Sequence, residues 1–236
     1  MCYSTKMDKT SALSPYYSND NITLYHGDCQ ALIPQIEFTG MLVTDPPYGI
    51  SLNRHAASTR IRYKNDTEAA KSFIEIPGDS STFDLASIFS WGYPQVIFGA
   101  NNFPAIIPFD PTKDGWICWD KRCSEAADRM MGSPFELALV RGKRTYKMIR
   151  IQHGGVVHAD KWGQKRVHPT EKPVKLMSRI LSFFPNLPVL DPFAGSGSTL
   201  LAAQAAGRTA VGIELEEKYC VIIARRLQSM SSHNHC

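Results

Sequence analysis

Six short runs, at 41–44, 95–98, 116–119, 135–140, 187–190 and 209–213, are rich in apolar, β-branched and aromatic residues, and they lie beside polar or turn residues. Each is four to six residues long, with little polar alternation. Strands buried on both faces read this way, because both sides of each pleat meet a core. Helical patterns lie after several of them. Residues 173–184 start with Pro173 at a plausible first helical position and carry Val174, Leu176, Met177, Ile180, Leu181 and Phe184 on one stripe. Residues 198–206 stop at Gly207, a natural helix end, and 216–230 place acids early and Arg225 and Arg226 late, which suits the helix dipole. Strands alternating with helices predict an α/β fold: a mostly parallel sheet with helices on both faces.

The 236 residues allow one to two domains, and a single domain of that length buries about 70% of its unfolded surface without needing disulfides or a metal. A composition of 43% hydrophobic and 20% charged residues excludes a disordered or fibrous chain. No apolar run reaches about 18 residues, and the first 20 residues lack a signal-peptide core, so neither a transmembrane helix nor secretion is expected. Cys2, Cys29, Cys118, Cys123, Cys220 and Cys236 are scattered without a Cys-x-x-Cys pair, as in a protein with reduced thiols in the cytoplasm. The end His233-Asn234-His235-Cys236 reads as a frayed terminus rather than a closed metal site, so no metal is expected. The expected organisation is a flexible arm at 1–20, one catalytic domain at 21–230 and a disordered tail at 231–236.

The stretch Leu190-Asp191-Pro192-Phe193-Ala194-Gly195-Ser196-Gly197-Ser198-Thr199-Leu200 follows one expected strand and opens a helix. Glycines there permit positive φ and close approach of a ligand, and free N–H groups at a helix start can donate to an anion such as a carboxylate. Glu214 ends the next strand, 19 residues after Gly195, near the spacing at which an acid binds ribose hydroxyls. No Gly-Lys-Ser/Thr follows, which excludes a P-loop, and Ser198-Thr199-Leu200 breaks the dinucleotide fingerprint. The chemistry suits a nucleoside cofactor; a turn needing glycines for packing alone is the alternative.

Asp45-Pro46-Pro47-Tyr48 ends another buried strand. Two prolines stiffen the turn and remove two N–H donors. What remains is a carboxylate, free carbonyls and one aromatic face at the carboxyl end of a strand, where α/β sheets bind ligands. That set fits a planar ring with an exocyclic amino group: Asp45 and the Pro46 carbonyl accept its two hydrogens while Tyr48 stacks. A proline-rich turn with an exposed acid is the alternative.

Together, the two motifs resemble the S-adenosylmethionine-dependent DNA amino-methyltransferases. The Asp-Pro-Pro-Tyr motif precedes the glycine motif, as in their permuted beta group. His168-Pro169-Thr170-Glu171-Lys172-Pro173 resembles that group's final motif, Leu24-Tyr25-His26-Gly27-Asp28-Cys29 its adenine-contacting strand end, and Trp119-Asp120-Lys121 a position lining the target-base pocket. The five matches span residues 24–214. The resemblance implies a single Rossmann-like methyltransferase domain and S-adenosylmethionine as cofactor. Phe193, Gly195 and Gly197 would shape its methionine end, with Asp191, Ser196, Ser198 and Thr199 in the same loop. Glu214 would hold the ribose and Asp28 the adenine amino group, while Thr170 and Lys172 would help hold the methionine carboxylate. Asp45, Pro46, Pro47 and Tyr48 would hold a flipped-out base. Asp at the head of that tetrad implies adenine N6, whereas Ser usually marks cytosine N4. Cytosine N4 methylation and a non-catalytic DNA-binding module of the same fold are the alternatives; the second predicts a damaged tetrad or loop, and both are intact. A nicotinamide oxidoreductase would leave Asp-Pro-Pro-Tyr unexplained, and a protein-glutamine methyltransferase uses Asn-Pro-Pro-Tyr in the opposite order.

Overall charge is only +4, from 26 basic and 22 acidic residues. Residues 121–172 hold twelve basic and five acidic residues, a net +7, so the rest of the chain sums to −3. This stretch and 51–84 are the expected DNA-facing loops, with Arg54, Arg60, Arg62, Lys121, Arg144, Lys147, Lys165 and Arg166 as candidate DNA contacts. DNA is the expected partner; a homodimer and a cognate restriction endonuclease are compatible with the resemblance, and no membrane is expected.

Overall fold

The computed structural model describes residues 13–47, 91, 94–102, 107, 109–124, 133–153 and 171–232. Nine strands form one sheet: β1 (Tyr17–Ser18), β2 (Ile22–His26), β3 (Met41–Thr44), β4 (Gln95–Phe98), β5 (Gly115–Asp120), β6 (Phe135–Arg141), β7 (Tyr146–Arg150), β8 (Val189–Asp191) and β9 (Ala210–Glu214). Their spatial order is β1-β2-β9-β8-β3-β4-β6-β5-β7. Helices are α1 (Cys29–Leu32), α2 (Val174–Leu181), α3 (Ser198–Ala205) and α4 (Glu217–Ser232). Among the described residues no helix is long and apolar enough to cross a membrane.

The absence of polar alternation in the strands has a direct structural meaning. Met41 and Val43 face one core while Leu42 faces a second; Val96 and Phe98 oppose Ile97 in the same way, as do Ala138 and Val140 against Leu139. The first core is closed by α2, α3 and α4 through Leu176, Ile180, Leu200, Ile223 and Leu227. The second is covered, among the described residues, by α1 and by Ile33, Ala100 and Ile107. Each central strand residue is therefore removed from water whichever way it points, at about 25 cal/mol per Å² of apolar surface.

Two strands depart from the parallel pattern. β1 pairs antiparallel with β2, so part of the expected N-terminal arm is a sheet edge. β6 runs antiparallel between β4 and β5. β7 then pairs parallel with β5 at the opposite edge. The stretch expected as a DNA-facing loop at 121–172 thus contains two sheet strands. β7 carries little apolar signal in the sequence, because this edge strand exposes Tyr146 and Met148 and carries Lys147 and Arg150, leaving only Ile149 buried. At the C-terminus, α4 runs to Ser232, into the expected tail. The end of α2 is closed from a distance: Arg208, just after Gly207, donates to the carbonyls of Leu181, Phe184 and Pro185 at 2.6–2.9 Å.

Candidate active site

The chain leaves β8 for β9 on one side, while β4, the strand after β3, lies on the other side of the β3–β8 pair. A parallel sheet opens a crevice at such a switch point, above the carboxyl ends of its strands. The two motifs meet there: Thr44 at the end of β3 donates its hydroxyl to Asp191 Oδ1 at the end of β8, at 2.9 Å. Register aligns the neighbouring ends as well. His26 pairs with Glu214, and the Gly27 amide donates to the Glu214 carbonyl at 2.9 Å. Along the carboxyl edge the order is therefore Asp28 after β2, Glu214 on β9, the glycine turn after β8 and Asp45 after β3.

Glu214 is 8% exposed and braces the glycine turn. Its Oε2 accepts from the Gly195 amide at 2.7 Å and its Oε1 from the Glu216 amide at 2.9 Å. Burial raises its carboxyl above the ordinary range, against the pull of these two amides. Gly195 and Gly197 have φ of +53° and +83°, so both use the freedom that only glycine has at low cost. A Cβ on Gly197 would also come within 2.9 Å of Ile223 Cγ1. That glycine serves the packing of α4 against the turn. Ser198 Oγ donates to the Lys172 carbonyl at 2.6 Å, and Arg226 Nη1 donates to both Glu171 Oε1 and the Ser196 carbonyl at 2.8 Å. These bonds fasten the segment entering α2 to the glycine turn. In the sequence Arg226 reads only as a favourable charge at a helix end.

Asp191 is buried and accepts from Thr44, from the Phe193 amide at 3.2 Å and from Thr199. Burial pushes its carboxyl up to about 6, with the three hydrogen bonds opposing. Its folded pKa lies above the unfolded value near 3.8, so the folded state holds the proton more tightly. Unfolding releases that proton across pH 4–6, and this group's contribution to stability falls as pH rises through the window, by about 3 kcal/mol in total. Asp191→Asn should lack this fall; denaturant titrations at pH 4.5 and 7 on both proteins check it.

Asp45 is 18% exposed and forms an ion pair with Lys172 Nζ. Lys172, 7% exposed, also lies 3.2 Å from Glu136 Oε2, and Glu136 in turn pairs with Lys121. Lys172, expected at the methionine carboxylate, thus presents its ammonium to the Asp-Pro-Pro-Tyr turn. Lys121, expected at DNA, is 12% exposed, pairs inside the protein and lies 5.1 Å from the Trp119 ring centroid. The Trp119 indole is 1% exposed and donates to the Ile151 carbonyl at 2.9 Å, as a core residue. Asp28 is exposed and caps α1, its Oδ1 accepting from the Gln30 amide at 2.9 Å. Tyr48, Thr170, Arg54, Arg60, Arg62, Lys165 and Arg166 lie outside the described residues. Sequence reasoning missed Glu136, which sits in a strand that reads as apolar and belongs to none of the motifs.

Arg144 and Lys147 are exposed around the start of β7. Beside this edge strand lies a cavity of about 560 Å³, lined by Met148 and Arg150 on the strand side and by Lys175, Ser178, Arg179 and Ser182 on the α2 side. Its lining has three cations and no carboxylate.

A family model described as DNA methylase matches residues 109–225. Type II methyltransferase M.ScaI of Streptomyces caespitosus is 25% identical over 268 aligned positions, covering 91% of this chain and 84% of that protein. The chain belongs to the N6/N4 DNA methylase family of S-adenosylmethionine-dependent amino-methyltransferases. Type II methyltransferase M.HinfI of Haemophilus influenzae is 43% identical over 68 residues, 28% of this chain and 19% of that protein. M2.DpnII of Streptococcus pneumoniae is 40% identical over 77 residues, 32% of this chain and 28% of that protein. With these two, this chain aligns over less than a third of the relative's length. The solved complex of M1.HpyAVI with its cofactor shares the fold at a TM-score of 0.51 and 23% identity, over 87% of this chain and 98% of that one. The fold also matches the cytosine-N4-specific PvuII DNA methyltransferase, at a TM-score of 0.55, 15% identity and 92% and 93% coverage.

S-adenosylmethionine fits the residues present. A carboxylate has about four acceptor positions, and backbone amides use two on Glu214, leaving two for a ribose diol. The exposed Asp28 carboxylate lies one strand further along the edge, where it can accept from an adenine amino group.

Proposed function

We propose that this protein methylates the exocyclic amino group of a base flipped out of DNA, adenine N6, at a specific sequence. The observation that carries the reading is the order of groups along the carboxyl edge of the sheet. Asp28, Glu214, the glycine turn and Asp45 follow β2, β9, β8 and β3, three strand spacings or about 14 Å from end to end. An adenine, a ribose, a methionine sulfonium and an acceptor amine succeed one another in the same order. Adenine is favoured over cytosine by the aspartate that heads the tetrad.

S-adenosylmethionine supplies an electrophilic methyl group on its sulfonium. The protein's own contribution is positional. Asp28 and Glu214 anchor the nucleoside end, and the braced glycine turn fixes the approach. The Asp45 carboxylate and the Pro46 carbonyl accept the two amino hydrogens of the target, which loosens the conjugation of the nitrogen lone pair with the ring. Asp45 also stabilises the positive charge that grows on nitrogen and stands ready for the proton that nitrogen sheds. Orientation of this kind lowers a barrier by up to about 7–11 kcal/mol. Flipping the base costs a few kcal/mol, which binding to the duplex must offset.

The cavity between β7 and α2 supports a track for flanking phosphates, since Arg150, Lys175 and Arg179 all line it. Replacing Lys175 and Arg179 together by alanine should weaken DNA binding and flatten the dependence of log K on log salt by about 1.8. Affinity for S-adenosylmethionine should stay the same. Fluorescence anisotropy over a salt series measures the first, calorimetry the second.

Expression in a methylation-deficient bacterium, followed by single-molecule sequencing of its DNA, tests the function. The expected result is N6-methyladenine in one sequence context. N4-methylcytosine would overturn the choice of base, and unmodified DNA despite cofactor binding would overturn the enzymatic reading.

A further inference from the structure

We propose that Glu136 is a positioning residue for methyl transfer: it holds the Lys172 ammonium, which in turn fixes the Asp45 carboxylate at the target base. The proposal rests on the function given above and adds a residue that no motif contains.

The argument begins with the direction of β6. This strand runs antiparallel to β4 and β5, so its start, rather than its end, lies at the carboxyl edge of the sheet. Glu136, its second residue, pairs in register with Trp119 near the end of β5 and so sits at this edge, on the far side of β4 from β3. Lys172, arriving just before α2, bridges the two carboxylates on β6 and after β3. Lys121 holds the outer side of Glu136. The four side chains alternate in sign and sum to zero charge: Lys121, Glu136, Lys172 and Asp45.

Such a network is costly to bury. Desolvation takes several kcal/mol per ion, and apolar replacements of the same volume are often neutral or stabilising. Stability is thus a weak reason for its presence, and its position at the acceptor turn supplies a better one. Asp45 must present one geometry to the amino group, and a side chain of two torsions does so only when held. Lys172 can hold it only if its long stem is itself fixed, and Glu136 provides the second point. The electrostatics agree with the geometry. Burial favours loss of the Lys172 proton, but the Asp45 and Glu136 carboxylates outweigh it and keep the ammonium more basic than an ordinary lysine. Burial alone would raise the Glu136 carboxyl, and the Lys172 and Lys121 ammoniums hold it below its usual value.

The test uses the full chain, with unmethylated genomic DNA as substrate, and compares wild type with Glu136→Gln. The variant should lose kcat by about 100-fold, the scale of a small misplacement at a reacting centre. Its dissociation constant for S-adenosylmethionine should stay within about threefold of wild type, because among the described residues Glu136 pairs with Lys121 and Lys172 and with neither Glu214 nor the glycine turn. A second readout is independent of activity. In protein labelled at lysine Cε, with the Lys172 signal assigned by Lys172→Arg, Lys172 should titrate above ordinary lysines in wild type. In Glu136→Gln its midpoint should fall by about one pH unit or more. Retained kcat in the variant, or a Lys172 titration that the substitution leaves unmoved, overturns the proposal. A Lys172 that titrates as a free lysine in wild type overturns it even if the variant does not fold. Wild-type protein that leaves DNA unmethylated would instead sink the proposed function, and the Lys172 titration would still decide whether Glu136 holds that ammonium.

Discussion

Asp45→Ala should reduce methyl transfer to DNA by about 1000-fold, while the affinity for S-adenosylmethionine changes by less than about threefold. The substitution removes an acceptor for the amino group and the negative charge facing the developing positive nitrogen. The cofactor anchors lie two and three strands away, on β9 and β2, which is why binding should survive. The alanine variant also strips Lys172 of one of its two carboxylate partners and leaves the buried network with a net positive charge, which is destabilising. Asp45→Asn separates the two effects, since its carbonyl still accepts from Lys172 while the charge is gone. Both variants are read by tritiated methyl transfer and by isothermal titration with the cofactor. Near-normal turnover in Asp45→Asn would refute the charge-stabilising role.

Glu214→Gln should have the opposite signature. The amide retains one acceptor oxygen and loses the other along with its charge, so a ribose hydroxyl or one of the two braced amides goes unpartnered. Hydrogen bonds to a charged group contribute about 1.5–3 kcal/mol, so the dissociation constant for S-adenosylmethionine should rise about 10- to 100-fold. Turnover at saturating cofactor should recover most of its wild-type value. The pH dependence has a defined sign as well. Burial raises the Glu214 carboxyl, so affinity in wild type should fall towards acid as the carboxylate takes up a proton, and the Gln variant should lack that limb. Calorimetry over a pH series on both proteins decides it; a fall in kcat with unchanged affinity would mean that Glu214 acts on the chemistry instead.

Much of the architecture is legible in the residues themselves. The runs at 41–44 and 95–98 are strands with those bounds, because a segment apolar at every position has to be covered on both sides. The helix stripe from Val174 to Leu181 and the stop at Gly207 are equally local. β7 was harder to read, because an edge strand exposes most of its side chains and loses the apolar signal. β6 was expected as a strand, but its direction could not be read, since a buried segment has the same composition whichever way it runs.

The same division runs through the candidate site. The sequence alone determined the two turns at the carboxyl ends of β3 and β8, because positive φ at glycine and rigidity at paired prolines are properties of a few adjacent residues. It also determined that Glu214 follows the glycine turn by one helix and one strand. Only the tertiary structure decided that Thr44 would bond to Asp191, 147 residues away, or that Lys172 would meet Asp45 across 127 residues. It alone joined Glu136 and Lys121 to that pair. Buried charges take whichever opposite charge the strand order and strand direction bring within reach. That order is set by the packing of two cores over the whole sheet, and no local window of the sequence contains it.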